Sequence, residues 1–439
     1  MNDVTTPRNE PVGVIPPPPP ITKIKLKTSS SGDNIDSNTT GTIQQLLQFN
    51  RRSLNSTKTQ VRTPDGRVYE ERICSGGLVS EYKGIDENLI LKKYTSSAVL
   101  SPFIYSITLN KWIVYNYKLY PHQILDNNQT KLSFITYNVW FDSFLWKERA
   151  NELFKILSHY QPDIICLQEV TPTFLDYIKD QVWLRNSYCI SDNGDFDTVF
   201  PYGVLMLIKY KTVQILKFSI SPLPGTNQSR KVLRAICKLN NNTVISISTV
   251  HLESLDQNSD CRIKQLEFIQ QQQQSHENLD TNAPHQDEEP YNHTFLLGDF
   301  NFGSSAKENE FLNNNNDNSL PYLRDMWMEL NRNNSNLNQN NNSSNYNNQI
   351  SQEINNSNNE QGFTYIKKRK RVDRIVFKSN NQIDNQVPIE TLIPISISLI
   401  GSDPIYIDIT TRLKENLQPN EPIYPSDHFG LYGVFEIQK

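Results

Sequence analysis

The stretch Thr294 to Asn301 climbs through Phe295-Leu296-Leu297 and then stops at Gly298-Asp299-Phe300-Asn301. A run that apolar reads as a buried strand, and a buried strand must justify a carboxylate at its end. In extended chain, side chains at i and i+2 leave the same face, so Asp299 and Asn301 are expected to point together. Four further segments have the same character. Ser133 to Tyr137 ends in Asn138, Asp163 to Gln168 in Glu169, and Val244 to Val250 in His251-Leu252-Glu253-Ser254, while Ser426-Asp427-His428 precedes the last strand. Each taken singly reads as a turn, a helix cap or a satisfied core histidine. Five together at strand ends are hard to explain as capping.

Between these runs lie helical patterns at Trp146 to Tyr160, Phe174 to Ile178 and Arg262 to Ile269. Further strands are expected at Tyr202 to Lys209, Arg234 to Leu239, Arg374 to Lys378 and Leu431 to Ile437. That alternation predicts an α/β fold, with two packed mixed sheets flanked by helices in a four-layer sandwich. Two asparagine- and glutamine-rich tracts, at about 270–292 and 331–361, are expected to be loops inserted into the domain. Without them, residues 131–439 amount to roughly 250 residues, the size of one domain.

Residues 1–41 are polar, lack periodicity and carry the proline run Pro16 to Pro20. They are expected to be disordered, with a short polyproline II segment as a spacer or a ligand for an SH3- or profilin-like partner. Residues 42–130 read as a small β-rich accessory region: a short helix near Ile43 to Phe49, a turn at Thr63-Pro64-Asp65-Gly66 and a hairpin about Asn110-Lys111. The net charge of −4 announces no global nucleic-acid binder. The five cysteines contain no C-x-x-C pair, which argues against a disulfide framework or zinc site and for a reducing compartment. No run approaches the length of a membrane span. A monomer is expected.

The polar strand ends form the set that phosphate-ester hydrolysis requires. Glu169 offers a hard oxygen to Mg²⁺, with Mn²⁺ as alternative. Asp299 can take a proton from water, Asn138 and Asn301 can donate to phosphate oxygens, and Asp427 beside His428 suggests a histidine held in orientation.

In that order the motifs resemble the endonuclease/exonuclease/phosphatase superfamily, and within it the tyrosyl-DNA phosphodiesterase 2 subfamily. The segments that carry the resemblance are Thr136-Tyr137-Asn138, Pro162 to Pro172, His251 to Ser254 with Arg262-x-x-Gln265-Leu266, Asp325-Met326-Trp327, Gly362 to Tyr365, Asp373-Arg374-Ile375 and Ser426 to Leu431. The resemblance implies a metal-dependent enzyme that hydrolyses 5′-phosphotyrosyl DNA bonds to release trapped topoisomerase in the nucleus. It implies Glu169 and Asn138 at the metal, and Asp299, His428, Asn301, His251, Asn138 and Asp427 in catalysis. Ser254, Tyr202, Arg234 and Trp327 are expected at the substrate. Trp140 stands where animal members place an aspartate, which leaves open whether Asp142 replaces it, and Ile366 stands where an acidic residue is expected. The basic run Lys367 to Arg371 reads as an import signal or a phosphate-binding patch, or equally as a solvated loop face beside the Asp373-Arg374-Ile375 strand. A nocturnin-like poly(A) deadenylase and an inactive scaffold are the alternatives.

Overall fold

The computed structural model describes residues 58–62, 68–74, 77–82, 96–116, 129–195, 197–199, 202–239, 243–277, 291, 293–313, 323–331, 361–379 and 391–438. The proline run, the expected helix near residues 43–49, the turn at 63–66 and most of both polar tracts lie outside the described residues. Three strands, β1 (Lys58–Arg62), β2 (Val68–Cys74) and β3 (Gly77–Tyr82), pair antiparallel as a separate small sheet.

The remaining strands are β4 (Ala98–Leu100), β5 (Phe103–Ser106), β6 (Lys111–Val114), β7 (Lys131–Asn138), β8 (Ile164–Val170), β9 (Tyr188–Ile190), β10 (Gly203–Lys209), β11 (Gln214–Pro222), β12 (Lys231–Lys238), β13 (Val244–His251), β14 (His293–Asp299), β15 (Arg324–Asp325), β16 (Asp373–Ser379), β17 (Thr391–Ile400) and β18 (Gly430–Gln438). They form an eight-stranded sheet, β17-β18-β7-β8-β10-β9-β5-β6, and a seven-stranded sheet, β15-β16-β14-β13-β12-β11-β4. Helices α1 (Trp146–Tyr160), α2 (Pro172–Lys179) and α3 (Val182–Ser187) follow β7 and β8. Helix α4 (Ser259–Glu277) follows β13, α5 (Glu308–Asn313) follows β14, and α6 (Ile409–Lys414) follows β17.

Two expectations change. The hairpin at 103–114 forms, but β4 pairs with β11 and β5 with β9, so this part of the accessory region extends the two main sheets. Helix α4 runs to Glu277, and Gln270 and Gln273 are buried, so the start of the first polar tract is helix. Glutamine is a good helix former, and a helix already docked on a sheet propagates at little cost.

Three hydrophobic layers explain why the strands are apolar throughout. Phe134, Cys166, Met206, Phe295, Leu297, Ile375 and Phe435 fill the space between the sheets. Their neighbours Ile135, Ile165, Leu205 and Leu207 face outward and pack with Leu153, Phe154, Leu157 and Leu175 of α1 and α2. On the other outer face, Val250, Leu296 and Val376 meet Leu266 and Ile269 of α4. The result is the expected helix–sheet–sheet–helix sandwich. Among the described residues, no helix is long and apolar enough to cross a membrane.

Two local devices position the polar end of this sandwich. Gly298 has φ +140°, and a Cβ there would lie 1.9 Å from the Val250 carbonyl oxygen on the neighbouring strand. Only glycine allows that close parallel approach just before Asp299. Asp325, at the edge, accepts from Arg371 Nη1 (2.7 Å) and Arg374 Nη1 (2.8 Å), all three being buried. Burial opposes ionisation of Asp325, but the two guanidinium groups hold its carboxyl below the usual carboxylate range.

Gly298→Ala is expected to lower stability by at least about 2 kcal/mol, measured by denaturant unfolding. Asp325→Asn should cost about 3 kcal/mol at neutral pH, because it leaves two buried cations facing a neutral group. Since the folded carboxyl titrates below its unfolded value, its contribution is complete above about pH 4 and fades as pH falls through the folded value. The gap between wild type and Asp325→Asn should therefore narrow in acid.

Candidate active site

Strand alternation decides which polar residues meet. On β7, Leu132 and Phe134 face the inter-sheet core, so Thr136 and Asn138 continue that row. The same parity carries Cys166 to Gln168 on β8, Ile247 to Thr249 and His251 on β13, Leu297 to Asp299 on β14, and Ile375 back to Asp373 on β16. The pairing is direct: His251 opposes Asp299 in the parallel β13–β14 ladder, and Asp299 opposes Asp373 in β14–β16. Asn138 opposes Gln168 across the parallel pair β7–β8. The inner rows of both sheets thus change from apolar to polar at one end of the sandwich.

Beneath the site, Gln168 Nε2 donates to Thr136 Oγ1 and to Thr249 Oγ1, both at 3.1 Å, and ties one sheet to the other. Above it, Asp299 is surrounded. Its Oδ2 accepts from Asn138 Nδ2 at 3.0 Å, and its Oδ1 from the Asn301 backbone N–H at 2.8 Å. His251 Nε2 lies 3.4 Å and His428 Nε2 3.8 Å from Oδ2. Burial, then the Asp373 charge, push the Asp299 carboxyl up to about 6.

The two histidines are in opposite states. His251 is buried and its Nδ1 lies 2.7 Å from Arg230 Nη1, an obligate donor, so Nδ1 accepts and Nε2 carries the proton toward Asp299. Burial and the Arg230 charge keep it neutral, its pKa well below the ordinary value. For His428, burial opposes the charge, but Asp373 Oδ2 at 2.8 Å from Nδ1, with Asp299 beyond, raises its pKa well above the ordinary value. It is an imidazolium.

Glu169, near the end of β8, has φ +60°, where the β8–β10 register shifts between the Gly203–Val170 and Leu205–Leu167 pairs, so it departs from the regular alternation of the strand. Its Oε2 accepts from the Phe141 backbone N–H at 3.0 Å. Its Oε1 accepts no hydrogen bond from the described residues and lies 3.9 Å from His251 Nε2. Burial raises the Glu169 pKa, the mark of a desolvated carboxylate without a matched cation. Glu169 and Asp142 line one cleft, and a second is lined by Tyr202, Arg230 and His251. Phe141 and Tyr202, stacked with centroids 4.6 Å apart, belong one to each cleft.

Several expected residues have different partners from those foreseen. Asp427 is not the carboxylate bonded to His428; that is Asp373, which the spacing did not single out as such. Asp427 carries a carboxyl raised to about 6 by burial and by the Glu169 charge, offset by His428 and Arg149. Asn301 Nδ2 donates to the Leu252 carbonyl at 2.9 Å, and Ser254 Oγ accepts from Arg230 Nη2 at 2.8 Å. Arg234 is on the outward row of β12 and donates to the Gln272 carbonyl of α4, away from the site. The arginine that reaches the site is Arg230, just before the strand. Trp327 packs beside the inter-sheet core, and a Cβ on Gly362 would lie 2.1 Å from its ring, so it is a packing residue. Tyr365 was also missed; its ring lies 4.9 Å from that of His428.

Among the described residues, the side chains grouped closely enough to hold a metal are Asp299, Asp373 and His428, with ligand atoms within 4.8 Å of one another. That is not the Glu169–Asn138 pair expected from the sequence. The imidazolium already supplies a positive charge in the grouped three, whereas Glu169 Oε1, a hard oxygen without a hydrogen-bond partner, fits a divalent cation. Asn138 Oδ1 accepts from the Trp140 backbone N–H at 3.0 Å and has a second lone pair.

The Glu253 carboxylate of the His251–Ser254 segment accepts from Thr226 Oγ1 (2.8 Å) and the Asn227 N–H (3.1 Å), which fixes the loop that delivers Arg230. Arg262 Nη1 donates to the carbonyls of Glu253 and Leu255, and Gln265 Oε1 accepts from the Glu253 N–H. The R-x-x-Q spacing puts both on one face of α4, under that loop.

Comparison with known proteins follows the same lines. The chain is 31% identical over 147 residues to tyrosyl-DNA phosphodiesterase 2 of Xenopus tropicalis, a match covering 33% of this chain and 37% of that protein. It is 31% identical over 151 residues to the Rattus norvegicus protein of the same name, covering 34% and 39%. The chain thus spans little more than a third of the length of the curated relatives it matches. A crystal structure of D. rerio TDP2 complexed with single-strand DNA product is 24% identical with a TM-score of 0.47, covering 70% of this chain and 99% of that one. The Endonuclease/Exonuclease/phosphatase family matches residues 135–428, the span that holds all the site residues described above, and this chain belongs to that family.

Proposed function

We propose that the chain is a Mg²⁺- or Mn²⁺-dependent phosphodiesterase that hydrolyses the 5′-phosphotyrosyl bond between DNA and a trapped topoisomerase, acting in the nucleus as a monomer. The observation that supports it is the convergence of a polarised aspartate, a neutral histidine, an imidazolium and two amides at one end of the sandwich. The name of the relatives supplies the leaving group.

Glu169 Oε1 and Asn138 Oδ1 would hold the ion, which when bound neutralises charge on a phosphoryl oxygen. In its ionised form Asp299 accepts the proton of the attacking water. The His251 Nε2–H, the Asn138 amide and the Asn301 backbone N–H fix its two oxygens, so the base is preorganised. His428 brings a full positive charge to where negative charge grows on the phosphate. Asn138 and Asn301 each keep one amide hydrogen beyond the bonds described, available to phosphate oxygens. Tyr202, its ring under the Arg230 guanidinium at 5.5 Å, and Ser254 border the DNA end.

The test is the purified full chain on a 5′-phosphotyrosyl oligonucleotide, with a free 5′-phosphate as expected product and loss of turnover in EDTA. Asp299→Asn should lower kcat by about 10²–10⁴ while DNA binding survives. Glu169→Gln should raise the metal concentration needed for half-maximal rate. An intact phosphotyrosyl substrate beside shortened poly(A) would favour the nocturnin-like reading, and activity on neither would favour a scaffold.

A further inference from the structure

The run Lys367 to Arg371 is not one feature. Arg371 is buried on Asp325, whereas Lys367, Lys368 and Arg369 are exposed and Lys370 is half-buried. These four form a turn whose two ends are fastened to the site. Tyr365 forms antiparallel bridges with both Lys370 and His428. The Ile366 N–H donates to the Asp427 carbonyl at 3.0 Å, the Phe429 N–H to the Thr364 carbonyl at 2.8 Å, and the Asp373 N–H to Thr364 Oγ1 at 3.0 Å. The turn is therefore tied to the segments that carry His428 and Asp373.

Its far side reaches the other histidine segment. Lys368 and Lys370 lie 3.8 and 3.7 Å from the exposed carboxylate of Asp256, two residues beyond Ser254. Contacts that long and exposed contribute little. Lys367 forms no ion pair among the described residues, and Arg369 sits over the Phe363 ring at 5.8 Å. Two of the four cations thus share one exposed carboxylate and the other two have no carboxylate partner among the described residues, on a chain whose net charge is −4.

From this we infer that the 367–370 turn is the electrostatic track for a single nucleic-acid strand whose terminal phosphate lies at His428, and not an import signal. A solvated basic loop needs no bonds to the site, and this one is bonded from both sides. A receptor reading a linear basic peptide would have to strip Arg371 from its buried partner and break the Tyr365 bridges. A single strand needs only a row of positive charge beside the reacting phosphate, with bases left to aromatic or solvent contact. This deepens the reading above and rests on it only for what reacts at His428.

The test is binding, measured in EDTA so that turnover plays no part. Fluorescence anisotropy follows a labelled 12-nucleotide single strand with a 5′-phosphate, across salt concentrations, for the full chain. The triple substitution Lys367→Gln, Lys368→Gln, Lys370→Gln should weaken binding about tenfold at low salt and reduce the slope of log K against log salt by about 2, since each neutralised phosphate contributes about 0.7 on single strands. Asp256→Asn removes the opposing charge and should tighten binding about two- to threefold, a gain no loss of folding can mimic. Unchanged affinity and slope in the triple variant would overturn the inference. So would loss of nuclear accumulation with strand binding intact, the result expected of an import signal. If wild-type protein cleaves no phosphotyrosyl ester yet the triple variant loses binding and slope, the proposed reaction fails and the track stands.

Discussion

Asp299 and Asp373 oppose one another in the register of two neighbouring strands, with their side chains on the same inner row. Two buried carboxylates in that relation repel, and only a cation between them makes the arrangement tolerable. His428 provides it from the other sheet, with Nδ1 on Asp373 and Nε2 toward Asp299. The raised pKa of His428 and the raised pKa of Asp299 follow from that geometry together. So does the closure of the sandwich at this end, because the imidazolium arrives just before β18 while both carboxylates belong to the facing sheet.

The loops that complete the site are set by buried arginines serving backbone carbonyls. Arg149 of α1 donates to the carbonyls of Val139, Trp140, Asp142 and Phe144, and its guanidinium lies 4.3 Å from the Trp140 ring. That holds the turn whose Phe141 N–H fixes Glu169. Arg262 performs the same service for the loop after His251, and Arg374 donates to the Phe302 carbonyl after Asn301. A planar fork of five donors satisfies several carbonyls of an irregular turn at once, which lysine cannot do. The site's loops are therefore held by buried side-chain donors to their carbonyls as well as by the strands they join.

What the sequence disclosed followed strand logic. The ends at Asn138, Glu169, His251, Asp299 and His428 were legible because apolar runs broke off abruptly there. Arg234, expected at the substrate, is placed elsewhere by parity: Leu233 and Ala235 face the core, so the residue between them faces α4. Asp373 was legible as part of a strand but not as the partner of His428, since that pairing joins strands 55 residues apart in sequence across the sandwich. Asp427 was favoured for adjacency, yet successive residues in extended chain point to opposite sides. The three-residue β9 and the nine-residue β11 escaped notice for want of a distinctive end. The edge strands β4 to β6 were set apart because a polar stretch separates them from β7, and sequence distance says nothing of which sheet edge a strand will cover.

The two halves of the site differ in how their charge is met. On one side, Asp299 and Asp373 share an imidazolium and donors from Asn138 and Asn301. On the other, burial raises the carboxyls of both Glu169 and Asp427, and the Glu169 charge raises Asp427 further, while Arg149 donates to backbone carbonyls and Arg230 to Ser254 and His251. A desolvated carboxylate on a cleft, as Glu169 is, with neighbouring cations already hydrogen-bonded elsewhere, carries an unmet demand for positive charge. The first half needs no added cation and is suited to handling protons. The second is the half that the proposed divalent ion would complete, and the substrate phosphate would lie between them.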